Sequence, residues 1–224
     1  DIYKASTLAT LITLLPNSET HKLNLAANRI LSKSNHITVI GIAENDVVGY
    51  IYPRKGNERV IGLDYRSVPT QWVQVQKAKD IEEIFIAGPV ELVQGGKGLI
   101  VRVPVFRDPP TNKDYWGVIS AVIDFNGLLR ETGVIDFSYQ YQMTMRGYDS
   151  GGELGDVIFG NPGREEDIYA KEQVFFPYGG WSLAVYSNGE LEQQVPWYVL
   201  QMARLVGYPI CLLYTSDAAD DTRS

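Results

Sequence analysis

Thiols and imidazoles are nearly missing from this chain: one cysteine, Cys211, and two histidines, His21 and His36, in 224 residues. A single cysteine excludes an internal disulfide and a cysteine-rich zinc site, and two histidines both at or before position 36 leave little for His-based nucleophilic catalysis. Clustered positive charge is missing too. The formal charge is -7 and no run of Lys and Arg stands out, so the electrostatic footprint of a nucleic-acid binder is absent and an anionic membrane surface would repel the chain. The motifs G-x-S-x-G, H-E-x-x-H, D-x-D-x-D-G and G-x-G-x-x-G do not occur. These gaps point to a partner that is a small molecule or a protein, with no cofactor required.

With 45% apolar residues the chain can bury one large core or two small ones. Leu8, Leu11, Ile12 and Leu15 repeat at helical steps, and the spacing resumes at Leu23, Ala26, Ala27, Ile30 and Leu31 after the Pro16-Asn17-Ser18 break. This predicts two helices, or one kinked at Pro16, with a sparse apolar stripe that suits a stalk. From His36 onward the pattern turns to short β-branched and aromatic runs: 36–42, 47–52, 60–65, 83–87, 90–94 and 99–106. A helix capped by Ser67 interrupts them, presenting Trp72, Val75, Ala78 and Lys79 on one face. Asp108-Pro109-Pro110-Thr111-Asn112 reads as a boundary, followed by strands at 115–124, 139–145, 157–159, 173–176 and 181–186 and a short helix at 126–131.

The fold class expected is α+β: a long N-terminal stalk helix (1–35), then two subdomains built on antiparallel sheets (36–107 and 108–190). The run from Val195 to Tyr214 is nearly all apolar, which predicts the truncated start of a transmembrane helix over 191–210. Residues 211–224, CLLYTSDAADDTRS, resemble a translated sequencing-adaptor tail and are read as non-native.

Two features invite a chemical reading. Gly95-Gly96-Lys97-Gly98 contains the Gly-Lys pair of a phosphate loop, but it lies between strands and lacks the Ser or Thr that would hold magnesium, so a hairpin turn is expected. Asp64 and Arg102 each interrupt an apolar run. A buried charge needs a partner, and three arrangements would provide for these two: a mutual ion pair, an exposed edge, or the polar end of a ligand cavity. Tyr50, Tyr52, Tyr65 and Trp72 around them suit either a core or the walls of a pocket for a planar ligand.

The segments Ile51-Tyr52-Pro53, Gly56-Asn57-Glu58, Ile61-Gly62-Leu63-Asp64-Tyr65, Gly88-Pro89-Val90-Glu91-Leu92-Val93-Gln94-Gly95-Gly96 and Gly98-Leu99-Ile100-Val101-Arg102-Val103-Pro104-Val105-Phe106 resemble, in order and spacing, the central motif region of a CHASE domain. Tyr115-Trp116-Gly117, Val122-Ile123-Asp124 and Gly179-Gly180-Trp181 resemble its later landmarks. The resemblance implies PAS-like subdomains, with the ligand in the membrane-distal one, in the periplasmic part of an inner-membrane receptor. It also implies flanking membrane helices, a homodimer through the stalk, and a cytoplasmic histidine kinase or cyclic-dinucleotide output domain. The covered region would not be an enzyme. By that resemblance Asp64 bonds the ligand, Arg102 stands where plant cytokinin receptors carry a small hydroxyl, and Ile86 and Gln94 match wall positions; Tyr65 and Trp72 are the aromatic candidates beside them. Arg102 argues against cytokinin itself and leaves a purine-like or anionic ligand open. The alternative is a dimerisation or protein-interaction module that binds no small molecule.

Overall fold

The computed structural model describes residues 2–14, 20–92 and 96–187. The chain falls into two compact units, 1–128 and 129–224. The transmembrane segment and tail expected at 191–224 lie outside the described residues.

The first unit opens with α1 (Ile2–Leu14) and α2 (Thr20–Lys33). They do not form one long stalk. Lys4 Nζ donates to the Lys33 carbonyl at 2.7 Å, whereas a straight helix would hold these residues about 44 Å apart. The helices fold back on each other because their apolar positions have a sheet to cover: Ala5, Leu8 and Ile12 of α1 and Leu23 and Ala27 of α2 are buried.

That sheet has the order β2-β1-β5-β4-β3, antiparallel throughout, with β1 (Ile37–Glu44), β2 (Val47–Tyr52), β3 (Phe85–Glu91), β4 (Lys97–Phe106) and β5 (Tyr115–Asp124). Residues 108–112, read from sequence as a boundary, lie in the turn joining neighbouring strands β4 and β5. The chain divides at 128/129 instead, within α4 (Phe125–Glu131). Asp108 knits the turn, accepting from Thr111 Oγ1, Lys113 N (3.2 Å) and Asp114 N (2.8 Å). These bonds hold its carboxyl below the ordinary carboxylate value, that from Thr111 foremost.

Two strand expectations fail for backbone reasons. Gly88-Pro89 does not end β3; it makes a bulge, since the pairing with β4 shifts register between Ala87 and Val90. Only glycine fits there, because Gly88 has φ +94° and a Cβ would meet Val90 N at 2.8 Å. Residues 60–65 form no strand. Gly62 at φ +85° breaks the extended run into two 3-10 turns, Glu58–Val60 and Tyr65–Ser67. Ser67 closes the second turn by donating to the Asp64 carbonyl at 2.6 Å, so it is Val68 that stands at the start of α3 (Pro69–Ile81).

The second unit carries α5 (Val134–Gln140), where a strand was expected to begin, and a four-stranded antiparallel sheet ordered β7-β6-β9-β8. Its strands are β6 (Met143–Arg146), β7 (Val157–Gly160), β8 (Ile168–Phe175) and β9 (Gly180–Tyr186). Trp181 meets Phe176 edge-on at 4.9 Å in its core. Among the described residues no helix is long and apolar enough to cross a membrane.

Candidate ligand pocket of the first unit

Strand pairing sorts the five-stranded sheet into two faces, since residues opposite one another in antiparallel strands point the same way. Leu99, Val101, Val103 and Val105 of β4 turn toward α1, which borders Val103 and Val105. The opposite face carries Ile100 and Arg102 of β4, Ser120 and Val122 of β5, Gly41 of β1 and Ile51 of β2. Helix α3 covers one end of it, where Val75 packs with Ala43, Val48, Tyr65 and Val118. The other end is bridged by the irregular segment 56–65. Three backbone bonds hold this segment to β2 and the turn before it: Val48 N to Leu63 O (2.9 Å), Gly62 N to Val48 O (2.8 Å) and Tyr65 N to Asp46 O (3.0 Å). Beneath the bridge lies a cavity of about 760 Å³ walled mainly by Ile51, Val60, Leu63, Ile100 and Val122, with Arg102, Tyr65, Gln71 and Ser120 at its polar end. That volume is within the range of small-molecule sites.

Arg102 is 1% exposed and the bulkiest of the fully buried side chains. Its Nη1 donates to Ser120 Oγ at 2.6 Å and its Nη2 to Gln71 Oε1 at 3.1 Å, and the guanidinium lies 4.6 Å from the centre of the Tyr65 ring. No carboxylate is within ion-pair distance of it among the described residues, and its Nε–H is buried without an acceptor. Neutral acceptors and an aromatic face offset part of a desolvation cost that runs to several kcal/mol for a buried ion; they supply no countercharge. The Tyr65 hydroxyl lies 3.1 Å from Ser120 Oγ, linking ring, hydroxyl and cation.

The residues expected at the site divide accordingly. Arg102 and Tyr65 line the cavity. Asp64 does not pair with Arg102; its carboxylate accepts from Arg66 Nε (2.8 Å) and Arg66 N (2.9 Å), and the side-chain bond from Arg66 is the main cause of its lowered pKa. Trp72 packs against the core cluster under α3 instead of facing the cavity. Ile86 pairs with Val101, one residue out of phase with Arg102, which puts it on the helix-covered face. Gln94 lies outside the described residues. Ser120 and Gln71 were not anticipated. A lone hydroxyl within the apolar run Val118-Ile119-Ser120-Ala121-Val122 was a readable signal for the first, while Gln71 carries none. Among the described residues no group of three His, Cys, Asp or Glu is placed to hold a metal.

Comparison with known proteins places this architecture. The fold is similar to the ligand-binding domain of the Pseudomonas aeruginosa PAO1 amino acid chemoreceptor PctC, in complex with GABA (13% identity, TM-score 0.58, covering 82% of this chain and 88% of that one). It is also similar to the periplasmic sensory domain of the Campylobacter jejuni chemoreceptor Tlp1 (12%, 0.56, 87% and 90%). A third likeness is to an extracellular ligand binding receptor from Desulfohalobium retbaense DSM5692 (13%, 0.57), of which 84% of this chain covers only 37% of that chain's length. A search of curated protein sequences gives no match. Residues 20–159, which span the whole five-stranded sheet and its pocket, match the CHASE domain family, and the chain therefore belongs to this family of extracytoplasmic sensor domains.

Proposed function

We propose that the first unit binds a small molecule in the cavity ending on Arg102, and that occupancy is passed through the second unit and across the membrane. The output would be a cytoplasmic histidine kinase or cyclic-dinucleotide domain. The observation that carries this reading is the cavity itself: about 760 Å³ left open on one face of a sheet whose other face packs against α1 and α2, and ending on a buried cation. A module built only for protein contacts has no need to leave that volume unfilled or to end it on a buried cation. The same reading makes the first unit membrane-distal, the apolar run after Val195 a membrane helix and the protein periplasmic. It also makes the helical N-terminal segment the dimer contact, which the exposure of Leu14 and Leu25 supports. A purine-like or an anionic ligand fits the polar end.

Thermal stability of the chain against purines, amino acids and small organic acids tests the binding step. A ligand at 100 times its dissociation constant adds about 2.7 kcal/mol. A stabilising compound that loses its effect in an Ile100→Trp variant, which fills the cavity from β4, supports the reading; no shift from any class favours a protein-interaction module.

A further inference from the structure

The pocket's polar end shows a one-sided inventory of hydrogen-bonding groups. Arginine has donors only, so Gln71 must turn its carbonyl oxygen to Arg102, leaving its amide NH2 to donate elsewhere. Ser120 Oγ accepts from Arg102, and it shares a bond with the Tyr65 hydroxyl in which either oxygen can be the donor. Between those two hydroxyls there are two protons and one mutual bond, so one proton is unused whichever way the bond runs. Three N–H of Arg102 are likewise not committed to Ser120 or Gln71, that of Nε having no acceptor at all. What remains on offer at this end of the pocket is therefore mainly donors, around a cation with no carboxylate among the described residues within ion-pair distance. Beyond this cluster Ile51, Val60, Leu63, Ile100 and Val122 give an aliphatic wall, and Thr38, Asn57, Arg59, Glu91 and Lys97 also border the cavity, Glu91 standing opposite Lys97 in the β3–β4 pairing. Asp124 also borders the cavity, but its carboxylate sits against Gly127, where an added Cβ would lie 2.5 Å from Oδ2, at the beginning of α4.

Resting on the sensor reading above, we propose that the ligand is an amphipathic monocarboxylate. Its carboxylate meets Arg102 with support from the Ser120–Tyr65 pair and the Gln71 amide, and its apolar body lies along Ile51, Val60, Leu63, Ile100 and Val122. One guanidinium with a hydroxyl and an amide matches the charge and acceptor count of a single carboxylate. The ligand supplies the countercharge that the fold withholds.

The test uses the full chain with phenylacetate and octanoate, their neutral amides, and phenyl phosphate, read by thermal shift and by calorimetry. The expected result is that at least one carboxylate stabilises the chain and binds about 10- to 100-fold tighter than its amide. Arg102→Met is expected to abolish that preference while melting no lower than wild type without ligand, because it removes an uncompensated buried charge. Should Arg102→Met fail to fold, Ser120→Ala keeps the cation and is expected to narrow the carboxylate-to-amide ratio several-fold. Amides binding as well as acids, or phenyl phosphate binding more tightly than either acid, overturns the carboxylate assignment and leaves the sensor reading standing. So does a response confined to the purines of the wider panel, or to amino acids whose carboxamides bind as well as the acids. Silence from these probes and from that panel overturns both. Arg102→Met melting well below wild type with native near-ultraviolet circular dichroism also counts against the proposal, since the cation would then be a structural fixture.

Discussion

Asp46 and Tyr115 show how this fold treats a buried charge when it does supply a partner. Asp46 is 5% exposed, in the left-handed region at φ +65°, and Tyr115 donates to its Oδ1 at 2.7 Å while Lys79 Nζ lies 4.4 Å from the centre of the tyrosine ring. Burial, then the bond to Asp46, push the phenol above its ordinary value. The folded chain keeps that proton above pH 10, where the unfolded chain gives it up, so stability falls as the pH climbs past about 10. Tyr115→Phe is expected to cost about 1–3 kcal/mol near neutrality, because the carboxylate loses a charge-assisted bond, and to flatten the alkaline decline. Urea midpoints at pH 8 and 10.5 measure both effects. Arg102 was legible in the sequence for the same reason that Asp46 was not. A charge inside an unbroken apolar strand announces its burial, whereas Asp46 sits in a polar turn, Glu44-Asn45-Asp46, that reads as surface. Asp64 was overread: its interruption of an apolar run marks the start of a 3-10 turn, where a carboxylate accepts a backbone N–H from Arg66.

At the scale of elements, alternation placed β1, β2, β4, β5, β7 and β9 close to where they form, because each buries alternate residues or a continuous run. Connections were harder. Pro109-Pro110-Thr111-Asn112 has the composition of a linker, but turn chemistry is the same whether a chain leaves a domain or reverses within a sheet. The fold-back of α1 on α2 was likewise invisible, since a kinked helix and a helical hairpin share one heptad-like stripe. A direct measurement separates them. Leu8 is fully buried, so Leu8→Ala is expected to lower the unfolding free energy of the chain by about 2–5 kcal/mol in urea. A helix projecting as a free stalk would register a change of at most about 0.5 kcal/mol.

For the whole molecule, the charge of -7 sets the conditions under which an anion must arrive. Long-range repulsion is screened within about 8 Å at physiological salt, so affinity is decided locally, at the buried guanidinium. Signalling then requires that the ligand bind one conformation a few kcal/mol better than another, and the parts able to differ are those held least firmly. The two sides of the pocket are unequal in this respect. Arg102 stands on β4, paired along its length with β5 and from Lys97 to Arg102 with β3, while the 56–65 bridge is fastened to β2 and the turn before it by three backbone bonds. In deuterated buffer the amides of 101–103 and 119–121 are expected to exchange only when the unit unfolds completely, and those of 58–65 through openings of much lower free energy. A carboxylate that binds in the pocket should slow the second group and leave the first at its limit. Equal protection of both would mean that the bridge is as rigid as the sheet. Otherwise the unit records occupancy as a change in how often one short stretch of backbone lets deuterium in.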